Sequence, residues 1–127
     1  MRKVFLMMLL AAASTDVMAG WVKVGNNRSD TFYADPTTII KSGNKVKMRS
    51  LHDYKTAAKV AGYAFLSSEV QEEYECKEKQ SRTLFFTFRS KNRGKGNEVY
   101  TDSESHNWQP VKFGSAREAL WEFACKK

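Results

Sequence analysis

Ser68-Glu69-Val70-Gln71-Glu72-Glu73-Tyr74-Glu75-Cys76-Lys77, followed after a short gap by Arg82-Thr83-Leu84-Phe85-Phe86-Thr87-Phe88-Arg89-Ser90, is the stretch that decides the fold. Side chains alternate between the two faces of an extended strand. In the first segment this puts Val70, Tyr74 and Cys76 on one face and Glu69, Gln71, Glu73 and Glu75 on the other, which reads as a half-wet strand. In the second, Leu84, Phe86 and Phe88 face one way and Thr83, Phe85 and Thr87 the other. A strand apolar on much of both faces is expected in the middle of a sheet, with something packed on each side.

The same alternation recurs upstream. Gly20 to Val24 alternates and suits a strand, and Gly25-Asn26-Asn27 is turn chemistry. Thr31 to Ala34 is a short strand that stops at Asp35-Pro36, because proline restricts the residue before it. Thr37 to Ile40 resumes with β-branched residues, Ser42-Gly43-Asn44 turns the chain, and Lys45 to Leu51 returns as the other arm of a hairpin. His52 to Ala64 loses the alternation and reads as a loop, with a short helix as the alternative.

Downstream, Ser90 to Asn97 is rich in Lys, Arg, Gly and Asn and reads as an exposed, flexible hairpin loop. Glu98 to Asp102 is a further strand, and Trp108 to Val111 a short extended piece. Ser115 then opens a helix. Ser115 and Glu118 have the S-x-x-E spacing of a capping box, in which each side chain satisfies a free N–H of the first turn. Ala116, Ala119, Leu120, Phe123 and Ala124 recur at three- and four-residue spacings as one apolar stripe, and Lys126 and Lys127 complement the negative end of the helix dipole. The expected fold is α+β: an antiparallel sheet of about five to six strands with a C-terminal helix packed on it.

The N-terminus adds an address. Met1-Arg2-Lys3 is basic, Val4 to Ala13 is an apolar run, and Val17-Met18-Ala19 offers small residues where a signal peptidase cuts. That is the layout of a secretory signal peptide, and the run is shorter than the about 20 apolar residues a membrane span needs. Residues 1–19 are read as the signal and 20–127 as one domain. Gly20, the first mature residue, is not a lipidation cysteine, so the expected location is the periplasm or the medium. Loss of Arg2, Lys3 and Asp16 takes the 21 basic and 14 acidic residues to 19 and 13, a net charge of +6. Cys76 and Cys125 are the only cysteines, and an even count in an exported chain implies a disulfide. A thiolate metal site is the competing reading. It lacks a C-x-x-C spacing and a nearby histidine pair.

No catalytic constellation stands out. Glu72, Glu73 and Glu75 are close in sequence, but Glu73 and Glu75 fall on a face that looks solvated. His52 and His106 are too far apart in sequence to suggest a zinc site. No G-x-S-x-G elbow and no phosphate loop are present. Two features suggest binding instead. Arg89, Lys91, Arg93 and Lys95 form a basic cluster that would attract anionic partners. Phe85 and Trp121 are the aromatics left over from the core pattern, and together they would make a protein-binding or dimer patch. The export signal argues against a nucleic-acid partner.

The chain resembles the surface-adhesin protein E-like family of Gram-negative bacteria. The shared landmarks are Trp21, Tyr33-Ala34-Asp35-Pro36-Thr37-Thr38-Ile39, Leu51-His52-Asp53-Tyr54, Ser67-Ser68, Glu73-Tyr74-Glu75-Cys76 and Arg82-Thr83-Leu84, followed by Gly94, Gly96, Val99, Trp108, Pro110-Val111, Gly114-Ser115 and Cys125. The resemblance implies the same sheet-plus-helix scaffold with a Cys76–Cys125 bond. It also implies a non-catalytic, adhesin-like protein whose partner is a host matrix or serum protein, or an envelope protein. A haem cofactor and a homodimer through a sheet edge are implied by the resemblance and the edge alone; the residues themselves call for no cofactor. A periplasmic inhibitor of a cell-wall hydrolase such as lysozyme is the alternative, with the basic loop entering an acidic cleft.

Overall fold

The computed structural model describes residues 20–126, so the signal-peptide segment 1–19 lies outside the described residues. Seven strands pair antiparallel: β1 (Val22–Asn26), β2 (Asp30–Ser42), β3 (Lys45–Val60), β4 (Tyr63–Glu75), β5 (Gln80–Arg89), β6 (Glu98–Asp102) and β7 (Gln109–Pro110). Six of them lie side by side in chain order, and β7 pairs with the start of β5 through Ser81 and Gln109. One helix, α1 (Ala116–Lys126), closes the chain.

Two expectations change. Asp35-Pro36 does not end a strand. Register instead jumps from Asp35 opposite Arg49 to Ile40 opposite Lys47, so β2 bulges by several residues around the proline. Proline lacks an N–H and is tolerated at such a bulge. Thr38 supports it: its hydroxyl donates to the Asp35 carbonyl at 2.7 Å and accepts the Arg49 N–H at 2.9 Å. Residues 52–64 are not a loop either. β3 runs on to Val60 and turns tightly through Ala61-Gly62 into β4. Between Asp53 and Ala58, β3 takes five steps while β4 takes two, and this bulge scrambles the side-chain alternation. Ala61 and Gly62 both have positive φ, 50° and 84°, as a twist-matched two-residue turn requires. Alanine is not the residue that announces such a turn.

The helix and disulfide match expectation. Phe32, Ala34, Val46, Met48 and Tyr74 of the sheet bury Leu120 and Ala124 of α1, with Ala116, Ala119 and Phe123 packed at the margin. Ser115 Oγ accepts the Glu118 N–H at 3.1 Å. Glu118 reaches back to the Gly114 N–H at 2.8 Å instead of to Ser115, and its other oxygen takes Lys79 at 2.6 Å. Cys76 and Cys125 are bonded, closing 49 residues and tying α1 to the end of β4.

The expected role of β5 is corrected as well. α1 packs mainly on β1 to β4, and Arg117 at its start lines the groove beside β5. β5 is next to the sheet edge, and its aromatic side chains lie outside the main footprint of α1.

Candidate partner-binding site

Beyond the reach of α1, the helix-side face of the sheet carries a run of stacked rings. Phe65 lies parallel on Phe88 at 4.0 Å, Phe88 meets Phe86 at 4.9 Å, and Tyr100 of β6 sits 6.0 Å from both Phe86 and Phe88. His106 closes the far side at 6.5 Å from Phe86. Tyr100 is 44% exposed, and Phe86 and Phe88 are only half-buried.

Between these rings and the start of α1 runs an open groove of about 220 Å³, with Phe86, Phe88 and Val70 as apolar wall and Tyr54, Glu72 and Arg117 as polar wall. The Glu72 carboxylate accepts from Thr83 Oγ1 at 2.9 Å and from Arg117 at 3.1 Å. Burial, and next the charge of Glu72, push the Tyr74 hydroxyl well above its usual pKa. Tyr54 shares a 2.9 Å hydrogen bond with Ser68, and burial raises its pKa too. His52 bonds to Asp30 at 3.2 Å, and that bond, with burial opposing it, lowers the Asp30 pKa.

The opposite face is a charge ladder rather than a solvated acidic strip. Glu73 is only 8% exposed, because Arg82 pairs with it at 2.8 Å. Arg82 in turn lies 4.9 Å from the Trp108 ring centre, with Lys45 5.5 Å from the same ring. Opposite charges on neighbouring strands stabilise a sheet, and they remove these carboxylates from the list of free acids. Among the described residues, no group of three or more His, Cys, Asp or Glu side chains is placed to hold a metal ion.

Phe85 and Trp121 do not form one patch. Alternation puts Phe85 on the face away from Phe86, under the Arg49 guanidinium at 5.4 Å. Trp121 packs against the core, donates to the Glu75 carbonyl at 3.0 Å and lies under Lys79 at 5.3 Å.

In the basic cluster, Arg89 is drawn 3.6 Å from Glu69, while Lys91, Arg93 and Lys95 are exposed. Their loop is not loose. Asp53 Oδ1 accepts from the Asn92 side chain and from the Arg93 N–H, both at 2.8 Å. Ser67 Oγ donates to the Lys91 carbonyl at 2.6 Å and accepts the Gly94 N–H at 2.9 Å. The ring surface was legible in part, since Phe86 and Phe88 share a face in the alternation. That Tyr100 and His106 join them depends on the pairing of β6 with β5.

The molecule is therefore of the class of small, disulfide-clamped antiparallel sheets with a single covering helix, in which aromatic and basic surfaces stand outside the core. Residues 21–126 match the profile of the family described as surface-adhesin protein E. The chain belongs to that family. No curated protein matches it in sequence. Among solved structures it is similar to Haemophilus influenzae protein E. Crystal form II of that protein aligns with a TM-score of 0.68 at 14% identity, covering 88% of this chain and 91% of that one. A second structure of that protein gives 0.65 at 13%, covering 88% of each chain. At such identity the likeness shows the fold alone. Membership of a surface-adhesin family implies an exported or surface protein, and among the described residues no helix is long and apolar enough to cross a membrane.

Proposed function

We propose that this chain is an exported, non-catalytic binding protein that engages a protein partner through the ring surface of Phe86, Phe88 and Tyr100. The observation that carries the reading is that α1 packs mainly over the other half of the sheet face: half-buried aromatics beside a polar-walled groove are the composition of an interface core. Family membership supports a host matrix or serum protein, or an envelope protein, as partner. The expected location remains the periplasm or the medium.

The reading includes no cofactor. At about 220 Å³ the groove is smaller than the roughly 300–1,000 Å³ clefts that hold drug-sized ligands, which weighs against a haem macrocycle there.

Surface plasmon resonance against a panel of purified serum, matrix and envelope proteins tests the proposal. A partner whose affinity falls at least about tenfold with Tyr100→Ala, a loss of the size expected for a hot-spot residue, supports it. A partner indifferent to Tyr100→Ala and Phe86→Ser would sink it. Stoichiometric inhibition of a muramidase would favour the inhibitor alternative.

A further inference from the structure

A second surface, independent of the rings, has its own chemistry. We propose that the loop from Ser90 to Asn97 is a preformed contact site for a linear sulfated glycan, which it meets with Lys91, Arg93 and Lys95.

The first argument is conformational. Arg93 has φ 62° and ψ 34°, a left-handed backbone that a non-glycine residue adopts at a cost. The Asp53 and Ser67 bonds hold it there. Gly94 and Gly96 follow at φ 71° and 82°, the left-handed region that favours glycine. A Cβ at Gly94 would come within 2.8 Å of the Glu69 carboxylate, and one at Gly96 within 2.3 Å of Ser90 Oγ. The loop backbone is thus built to one shape, and a contact site already in its bound shape loses less freedom on binding.

The second argument is electrostatic. Two carboxylates under the loop are already engaged: Asp53 is turned inward to the loop backbone, and Glu69 lies beneath Gly94 beside Arg89, while exposed Glu98 follows the loop. The three outer cations have no ion pair among the described residues.

The third argument concerns shape and composition. The cations are exposed on a turn that is itself tied to β3 and β4, and no pocket encloses a small anion among them. The loop has no apolar side chain to bury among acyl chains, which disfavours a lipid surface. A hydrophilic polyanion remains, one that makes several screened contacts at once and releases its counterions.

The test is titration with a heparin-derived oligosaccharide of defined length at several salt concentrations. Removing Lys91, Arg93 and Lys95 together as alanines is expected to weaken binding at least about tenfold and to lower the log–log salt slope by about two to three. A control triple, Lys23→Ala, Lys41→Ala and Lys126→Ala, removes the same charge from other exposed positions and should change affinity less than about threefold. Equal losses in the two triples would reduce the effect to net charge and overturn the proposal.

Asp53→Ala separates shape from charge. It makes the protein more basic, so pure electrostatics would tighten binding, whereas loss of the loop anchor weakens it. Weaker binding is expected, and tighter binding defeats the preformed site. Asn92→Ala removes the side-chain part of that anchor without changing charge, and weaker binding is expected there too if Asp53→Ala does not fold. Vesicles of mixed phosphatidylglycerol and phosphatidylcholine form the last arm. Tighter binding to them than to the oligosaccharide, lost in the loop triple, would assign the cations to lipid and refute the glycan.

Discussion

The helix-side face of the sheet has two halves made by the same rule and finished differently. Toward β1 to β4, alternating apolar side chains lie under α1, and Leu120 and Ala124 are sealed among Phe32, Met48 and Tyr74. Toward β5 and β6, apolar side chains stack on one another outside the main footprint of α1, which reaches them only as a groove wall at Arg117. One half is sealed core and the other, apart from buried Phe65, is partly open to solvent, although strand composition does not distinguish them. The difference teaches that partly open aromatic surface can arise where a covering element runs out.

The comparison can be broken most severely at the clamp. Replacing Cys76 and Cys125 together by alanine should cost about 4 kcal/mol, the entropy of an open 49-residue loop, read as a lower denaturant midpoint. A loss under about 1 kcal/mol would mean that α1 holds its half unaided. Leu120→Ala should come next, at about 3 kcal/mol, since it empties a fully buried site.

Phe86→Ala sharpens the contrast: the larger side chain should cost less than Leu120 does, about 1–2 kcal/mol, because it is only half-buried. If it matches Leu120→Ala, the ring half is core and not surface. The smallest effect is acid-dependent. Asp30, held below its ordinary value of 3.8 first by its bond to His52, contributes stability that is present above that value and lost as pH falls through the depressed one. The contribution is below about 1 kcal/mol, because the His52 member of the pair remains partly open to solvent. Asp30→Asn should therefore flatten the acid limb of a stability–pH curve, and an unchanged limb would remove His52–Asp30 from the folding balance.

Local periodicity carried much of this architecture. Tyr74 and Cys76 point into the core from β4, and the stripe from Ala116 to Ala124 points inward from α1, because each element's period is written within it. The failures share one cause. Asp35-Pro36 and Lys55 to Ala57 sit in bulges, where one strand advances past its neighbour and a period of two no longer maps to faces. Glu73 reads as solvated in the sequence because its Arg82 pair, nine residues away, depends on how β5 registers against β4, and the Glu72 partner Arg117 lies 45 residues away. The basic loop was legible as a charge cluster. Its Asp53 and Ser67 anchors, 40 and 27 residues from the groups they hold, were not.

The sequence by itself determined an α+β sheet-and-helix chain with one available cystine, because alternation, capping and cysteine count act at short range. Which rings remain outside was decided only by the tertiary structure, and the reason is size. A helix of 11 residues is about 16 Å long, whereas six strands spaced about 4.8 Å apart span roughly 24 Å, so part of the face stays open. The clamp between Cys76 and Cys125, with the strand order, decides which part.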